Sequence, residues 1–197
     1  PTATTSAPAS RNRAVSLASL VTSQPQLSDL PRELNCLAGA IYFEAKSESL
    51  SGQLAVGRVI VARSKSGRFP NSYCGVVFQP SQFSFVRGGS MPGIARASRQ
   101  WRNAVAIAQI AHAGSWRSPV EGALYFHAAY VAPGWRLARV GRVENHVFYR
   151  GACLSRDALT PGLNPGVGLS IEAARRARAI ARPSNGLASG FGWTRSR

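Results

Sequence analysis

The stretch LSGQLAVGRVIVA, residues 50–62, is apolar on almost every face of a helix. A helix that lacks a polar face is normally buried on all sides in a globular protein. Ser49 and Ser51 are the candidate N-caps, because a hydroxyl in that position accepts a hydrogen bond from a backbone N–H of the first turn. The segment therefore predicts a buried helix at the centre of the domain.

One amphipathic helix is predicted before this segment and one after it. The helix before it carries its apolar face at intervals of three and four residues, namely at Leu34, Leu37, Ala38, Ile41 and Ala45. The helix after it begins at the N-cap Ser98, carries an apolar stripe from Trp101 to His112, and ends at Gly114. Both helices have one face that must pack against the centre.

The remaining segments predict short elements. Residues 64–93 contain many glycines and prolines and leave room for a single helical turn at 73–78. Residues 123–127 and 143–149 are rich in aromatic and β-branched side chains, which is typical of strands. The predicted fold class is therefore α+β, mostly helical, with a small β element in a single domain.

Composition divides the chain of 197 residues into three parts. Residues 1–30 are rich in Ser, Thr, Ala and Pro without a sustained period, which indicates a disordered segment or linker. Residues 31–154 form the predicted compact domain. Residues 155–197 form a Pro/Gly- and Arg-rich basic tail, which is either solvated or presents a cationic helix face to an anionic surface.

The charge of the chain is strongly positive: 24 Lys and Arg face 8 Asp and Glu, for a net charge of +16. This charge excludes proteins with acidic surfaces and favours anionic polymers as partners. A nucleic-acid-binding module is an alternative on charge alone, but the arginines are scattered rather than grouped on a reading element. We therefore expect no nucleic acid as partner. No apolar run reaches the ~18 residues that cross a bilayer, so no transmembrane segment is predicted.

Glu44 is the acidic residue whose surroundings best suit acid catalysis. It follows Tyr42 and Phe43 near the end of the first predicted helix, where the buried face meets the exposed face, and it opens onto the loop-rich region. An apolar boundary of this kind raises the pKa of a carboxyl group and keeps it protonated near neutral pH. Glu44 is therefore the candidate general acid.

The surrounding sequence resembles the spore-cortex-lytic and cell-wall hydrolase family. The family pattern runs AxxxEARGE, EGQ, a buried helix ending in Asn-Arg, FP, CGV or SGV, and QF. Residues 40–85 follow it in order as AIYFEAKSESLSGQLAVGRVIVARSKSGRFPNSYCGVVFQPSQFSF. Two later segments resemble the family's two closing motifs. They are ALYFHAAYVAPGW at 123–135 and NHVFYR at 145–150. The chain departs from the pattern at Lys46-Ser47, at Ser51 and at Ala62, which stands where the family has Asn.

The resemblance implies a lysozyme-like domain related to lytic transglycosylases. It implies cleavage of peptidoglycan between N-acetylmuramic acid and N-acetylglucosamine, with Glu44 at the family's catalytic position. It also implies a periplasmic, secreted or envelope-associated protein, or a lysis protein encoded by a phage. The substrate-binding or supporting residues expected with Glu44 are Glu48, Gln53, Gln82, Phe83, Tyr125, His127, Tyr130, Trp135 and His146.

The expected reaction follows from the lack of a clear second carboxylate. A glycosidase with two carboxylates needs them about 5 Å or about 6.5–9.5 Å apart, and Glu48 is the only acid close to Glu44 in the sequence. A single-acid scheme therefore predicts that the 6-hydroxyl of the muramic acid closes a 1,6-anhydro ring, as in a lytic transglycosylase.

Two other functions stay open on sequence grounds. One is a Cys/His amidase or peptidase with Cys74 as nucleophile and His127 or His146 as base. The other is a non-catalytic module that binds peptidoglycan or other anionic envelope polymers through the basic surface and tail. No metal site or other cofactor is expected, because the three histidines are 15 and 19 residues apart and no H-E-x-x-H motif occurs.

The chain contains three cysteines, Cys36, Cys74 and Cys153, at spacings that form no C-x-x-C motif. They permit either one disulfide or three buried thiols. If the protein is exported, we predict that Cys36 and Cys74 pair, because they begin the first helix and the helical turn at 73–78.

Overall fold

The computed structural model describes residues 16–151, and most of the regular structure in this range is helical. The elements in chain order are α1 (Leu17–Thr22), α2 (Arg32–Ala45), α3 (Leu50–Lys65), α4 (Tyr73–Val77), α5 (Arg99–Ala113), β1 (Tyr125–Ala128), β2 (Arg139–Val143) and β3 (His146–Tyr149). None of the helices in this range is long and apolar enough to cross a membrane. The predicted α+β class with a small β element is confirmed.

Helix α3 is the central helix, as its sequence predicts. It packs against α2, α4 and α5, and ten of its 16 residues are buried. Its N-cap is Ser49, whose hydroxyl accepts a hydrogen bond from the N–H of Gly52. The approach of the neighbouring helices requires Gly57, since a Cβ atom there would lie 2.9 Å from Ile41 Cδ1 and 3.4 Å from Ala111 Cβ.

Helix α2 is more deeply buried than its one-sided apolar stripe predicts. Nine of its 14 residues are buried, among them Glu44. The reason is that three helices, α3, α4 and α5, pack against it from different sides. A sequence period identifies one apolar face, but it does not show how many neighbours a helix acquires.

Helix α5 has the boundaries that its sequence signals predict. The Ser98 hydroxyl accepts a hydrogen bond from the N–H of Trp101, and Gly114 ends the helix with a φ of 65°. Glycine adopts this left-handed conformation without steric cost, which explains the stop at this position.

In the structure a disulfide between Cys36 and Cys74, the pair expected for an exported protein, joins α2 to α4 across a Cα–Cα distance of 5.1 Å. The carboxylate of Glu33 strengthens the same junction, because its Oε2 accepts hydrogen bonds from the N–H groups of Tyr73 at 2.6 Å and Cys74 at 3.2 Å. These contacts hold the short helix α4 on the first turn of α2.

The sheet contains three antiparallel strands in the order β1-β3-β2, where the sequence predicts two. The segment predicted as one strand over 143–149 is interrupted by a turn, in which Glu144 has a φ of 47°. The residues before the turn form β2, which pairs with β3. Strand β2 has the sequence RVGRV, whose arginines and glycine lack the aromatic and β-branched pattern that identifies strands.

The described structure begins earlier than the predicted domain start at residue 31. Helix α1 lies inside the segment predicted as a linker, and its Val21 is 8% exposed and belongs to the core. The segment contributes too few apolar residues for its sequence to reveal this packing. Residues 1–15 and the predicted tail 155–197 lie outside the described residues, so the division into domains stays a prediction.

Candidate active site

Glu44 lies in the last turn of α2 and is only 4% exposed. The sequence placed it on the margin between the buried and exposed faces, and the structure corrects this, because the helix is covered on nearly all sides. Aromatic rings accompany it: the ring of the preceding Phe43 stacks on Phe85 at 4.8 Å, and Phe85 contacts Phe83 at 5.4 Å. Glu44 is therefore a buried carboxyl group on a helix whose neighbouring residue takes part in aromatic packing.

Arg63, in the last turn of α3, is the cation that interacts with Glu44. Its side chain is 1% exposed, and its Nε donates a hydrogen bond of 2.7 Å to the carbonyl of Leu124. The guanidinium lies 4.9 Å from the ring centre of Phe69 and 5.9 Å from that of Tyr125. Burial lowers the pKa of Arg63 to about 10, and the charges of Tyr125 and Glu44 oppose this effect. Glu44 is therefore within electrostatic reach of a fixed buried cation.

Three of the predicted site residues, Glu48, Gln53 and His146, form one buried cluster. The Nδ1 atom of His146 lies 3.1 Å from Glu48 Oε1 and 3.3 Å from Oε2. Gln53 donates a hydrogen bond of 3.1 Å from its Nε2 to the carbonyl of Glu48. The cluster joins strand β3 to the loop between α2 and α3, and so it holds the chain that directly follows Glu44.

A second group of predicted residues forms a cluster of rings on the other face of the sheet. Trp135 makes T-shaped contacts with the rings of Tyr125, His127 and Tyr149, with ring centres 6.2, 5.6 and 5.9 Å away. His127 Nδ1 lies 2.9 Å from the carbonyl of Ala128, which can only accept, so this nitrogen carries the hydrogen. In the neutral ring, Nε2 then accepts a hydrogen bond of 2.9 Å from the hydroxyl of Tyr149.

The register of the sheet separates the two candidate histidines. Tyr125 pairs with Tyr149 and His127 with Val147, whereas Ala128 pairs with His146. Because directly paired residues share a face and successive residues alternate, His127 and His146 lie on opposite faces. His127 belongs to the ring cluster and His146 to the buried cluster with Glu48, so the two do not act together.

The other predicted residues differ in exposure. Gln82 and Phe83 are each 3% exposed in the loop that follows α4, and Phe83 joins the aromatic packing beside Phe43. Tyr130 is 42% exposed, in the irregular segment between β1 and β2. Of these three, only Tyr130 presents a large surface to a ligand without a movement of the protein.

A family of known proteins matches the part of the chain that contains these clusters. Residues 47–149 match the family model described as Cell Wall Hydrolase. The chain belongs to this family. Glu44 lies three positions before the matched range, so its role does not follow from this match alone.

Two similar proteins are spore cortex-lytic enzymes. The enzyme of Bacillus subtilis (strain 168) is 34% identical over 119 residues, which are 59% of this chain and 37% of that protein. The enzyme of Oceanobacillus iheyensis is 30% identical over 118 residues, which are 59% of this chain and 41% of that protein. The chain therefore spans about two fifths of the length of the curated relatives it matches.

Among solved structures, the fold resembles the catalytic domain of the germination-specific lytic transglycosylase SleB from Bacillus anthracis. The identity is 27% and the TM-score is 0.51, and the match covers 64% of this chain and 100% of that one. The relationship in fold is thus to an entire catalytic domain.

The disulfide excludes one of the alternative functions. A Cys/His amidase with Cys74 as nucleophile needs a free thiolate, and the sulfur of Cys74 is bonded to Cys36. Cys74 also lies on α4, whereas His127 and His146 lie on the sheet. The interpretation of Cys74 as a nucleophile is therefore wrong for this cell wall hydrolase.

Arg63 and Tyr149 are site residues that sequence reasoning did not select. Arg63 aligns with the Arg of the family's Asn-Arg motif at the end of the buried helix. This motif is the sequence signal from which Arg63 could have been selected. Tyr149 lies in the closing motif, opposite Tyr125 in the sheet. A single sequence does not show this register, because pairing depends on how the three strands assemble.

Proposed function

We propose that this chain cleaves the glycan strands of peptidoglycan between N-acetylmuramic acid and N-acetylglucosamine. Membership in the Cell Wall Hydrolase family supports this proposal. The similarity to spore cortex-lytic enzymes and to a catalytic domain of a lytic transglycosylase supports it further. The observation that carries it is the position of Glu44, a buried carboxyl group within electrostatic reach of Arg63.

Glu44 acts as the general acid in this proposal. It donates its proton to the glycosidic oxygen as the bond to C1 of the muramic acid breaks. The positive charge of Arg63 then stabilises the carboxylate that remains, because an opposite charge nearby favours the ionised form. Arg63 itself cannot donate the proton at neutral pH, since its pKa of about 10 keeps it charged.

The other acids between residues 16 and 151 support a scheme with one catalytic carboxylate. Four of them are bound elsewhere: Glu33 to the N-terminus of α4, Glu48 to His146, Glu121 to Arg58, and Glu144 to the N–H of Ser49. Asp29 lies in the exposed loop before α2. Apart from the exposed Asp29, no second carboxylate in this range is thus available as a nucleophile without first breaking such contacts.

The second half of the reaction uses the same group. The Glu44 carboxylate accepts the proton of the muramic acid 6-hydroxyl while O6 bonds to C1, and a 1,6-anhydro product forms. The proton that Glu44 gave to the leaving sugar is thereby replaced. No water molecule is consumed, so the products have the mass of the substrate, which distinguishes this lyase reaction from hydrolysis.

The ring cluster of Tyr125, His127, Trp135 and Tyr149 offers a surface for sugar rings. Trp135 is partly exposed, and its T-shaped contacts with the other three hold its orientation. Arg63 connects this cluster to Glu44, because its guanidinium lies beside Tyr125. The proposed glycan path therefore runs past Trp135 toward Glu44.

The proposed site of action is the cell envelope. The Cys36–Cys74 disulfide supports an oxidising compartment, where such bonds persist. The net charge of +16 supports attraction to anionic envelope polymers, and the basic tail is the predicted contributor outside the described residues.

Digestion of purified peptidoglycan followed by mass analysis of the products tests the proposed function. Fragments that end in 1,6-anhydromuramic acid support it. Fragments that end in reducing muramic acid would show that the reaction is hydrolysis and not the proposed lyase reaction. Release of peptides from intact strands, or no release of fragments, would contradict glycan cleavage.

A further inference from the structure

A polar pocket of about 450 Å³ lies beside the buried Glu48 cluster, between the loop after α2 and the first turns of α3 and α5. The residues that line it include Lys46, Glu48, Gln53, Arg99, Gln100 and Asn103. Glu44 is not among the lining residues, so the pocket is separate from the proposed catalytic carboxyl group. Nothing in the proposed glycan cleavage uses it.

The charges around the pocket favour an anion. Lys46 and Arg99 both line it, and neither forms an ion pair with a residue in the range 16–151. Helices α3 and α5 contribute residues from their N-terminal turns, and neither helix has an acidic residue in its first turn. The positive end of the α5 dipole thus adds to the two cations, whereas at the start of α3 the carboxylate of Glu144 already accepts the N–H of Ser49.

The carboxylate of Glu48 does not cancel this preference. Its side chain is fully buried and lies 3.1 Å from His146 Nδ1, so its charge is directed toward the sheet. The amides of Gln100 and Asn103 supply neutral hydrogen-bonding groups at the pocket wall. A carboxylate accompanied by amide groups matches this set of side chains.

Gln53 supplies an acceptor at the buried end of the pocket. Its side chain is 3% exposed, and its Nε2 already donates to the carbonyl of Glu48. Its Oε1 accepts no hydrogen bond from the residues that the structure describes. An amide N–H of a peptide is a suitable donor for this oxygen.

We propose that this pocket binds the carboxylate-bearing peptide stem of a peptidoglycan strand. The assignment rests on the proposed function and names the part of the substrate that lies outside the glycan path. Glu44 and Glu48 are four residues apart, so their Cα atoms are separated by at most about 14 Å. A stem of four or five residues extends about 13–18 Å, which is enough to reach from a muramic acid at Glu44 into the pocket.

The test compares soluble glycan strands that carry peptide stems with the same strands after an amidase has removed the stems. The measured quantity is kcat/KM for the appearance of new glycan ends. We expect the wild-type chain to prefer stem-bearing strands. The variant Lys46→Met/Arg99→Met is expected to lose about threefold to tenfold in kcat/KM on stem-bearing strands, in the range of two exposed ion pairs, and nothing on stripped strands.

A matched control separates the pocket from the general effect of charge. Lys65→Met/Arg117→Met removes the same two charges from exposed positions that do not line the pocket. It is expected to keep the preference for stem-bearing strands. An equal loss in both double variants would overturn the pocket assignment.

The two proposals fail in different ways. If the wild-type chain cleaves both kinds of strand at equal rates, the stem assignment is wrong and glycan cleavage stands. If it cleaves neither kind, the proposed function is wrong, and the stem assignment falls with it.

Discussion

His146 Nδ1 lies 3.1 Å from Glu48 Oε1, and both side chains are completely buried. The pair connects strand β3 to the loop that directly follows the helix of Glu44, across 98 positions of sequence. A contact of this kind fixes the end of α2 relative to the sheet. Because Glu48 is held by His146, it is a positioning residue in our scheme, and Glu44 alone carries the proton.

The replacement Glu44→Gln is expected to leave the fold intact and to remove catalysis. The amide has nearly the same shape but its N–H groups are too weakly acidic to protonate the glycosidic oxygen, and loss of general acid catalysis costs about 10²–10⁴ in rate. The measurement is the release of soluble muropeptides, with circular dichroism as the check on folding. Glu121→Gln is the matched control and should stay active. Activity of Glu44→Gln above a tenth of the wild-type value would contradict the assignment.

The replacement Glu48→Gln is expected to affect stability more than chemistry. Removing one partner of a buried hydrogen-bonded contact costs about 1–3 kcal/mol, because the other group is left without its partner. Denaturant unfolding near pH 7 measures this loss of free energy of unfolding. The activity that remains per folded molecule should exceed that of Glu44→Gln. The double variant Glu48→Gln/His146→Asn should be destabilised by less than the sum of the single changes, and strict additivity would show that the pair is not coupled.

Arg63 is expected to set the pH range of activity. In Arg63→Met, the carboxyl of Glu44 loses a nearby cation that favours its ionised form, so it keeps its proton to higher pH. The alkaline limb of the profile of kcat/KM against pH should therefore move to higher pH. Arg63→Lys keeps the charge and should keep the limb in place. If the alkaline limbs of Arg63→Met and Arg63→Lys lay at the same pH, Arg63 would act only through packing.

The disulfide is expected to supply a large part of the stability. It closes a loop with a sequence separation of 38 residues. In the chain-entropy model a loop of this size is worth about 4 kcal/mol. The double variant Cys36→Ala/Cys74→Ala, which leaves neither of these thiols unpaired, should lose a comparable free energy of unfolding. An unchanged unfolding midpoint would contradict this expectation.

Glu121 is expected to stabilise the fold near neutral pH and to lose this contribution in acid. Burial by itself raises the pKa of this carboxyl, but hydrogen bonds from Arg58 and from the N–H of Ser118 outweigh it and hold the pKa below its ordinary value of 4.5. A carboxyl whose pKa is lowered on folding adds stability above the unfolded-state pKa and loses that contribution as the pH falls through the folded-state value. Between pH 6 and about pH 3, the free energy of unfolding of Glu121→Gln should therefore fall less steeply with decreasing pH than that of the wild-type chain. Denaturant unfolding at several pH values measures it.

The helical part of the fold follows from local signals in the sequence. Ser98 caps α5 as predicted, Ser49 caps α3 as one of the two candidates, and Gly114 ends α5, because capping depends on residues within one turn of each other. The sheet is predicted less well. The turn at Glu144 divides a segment that looks continuous in sequence, and its backbone is held by the pairing of β2 with β3.

The sequence by itself determined the central buried helix and the candidate acid Glu44, since each depends on residue type and local spacing. For the cysteines it left one disulfide or three thiols open. Only the tertiary structure decided that Glu44 is buried, that Arg63 interacts with it, and that His127 and His146 lie on opposite faces of the sheet. These features depend on contacts between residues far apart in sequence. Such contacts follow from strand register and helix packing, which a sequence period does not specify.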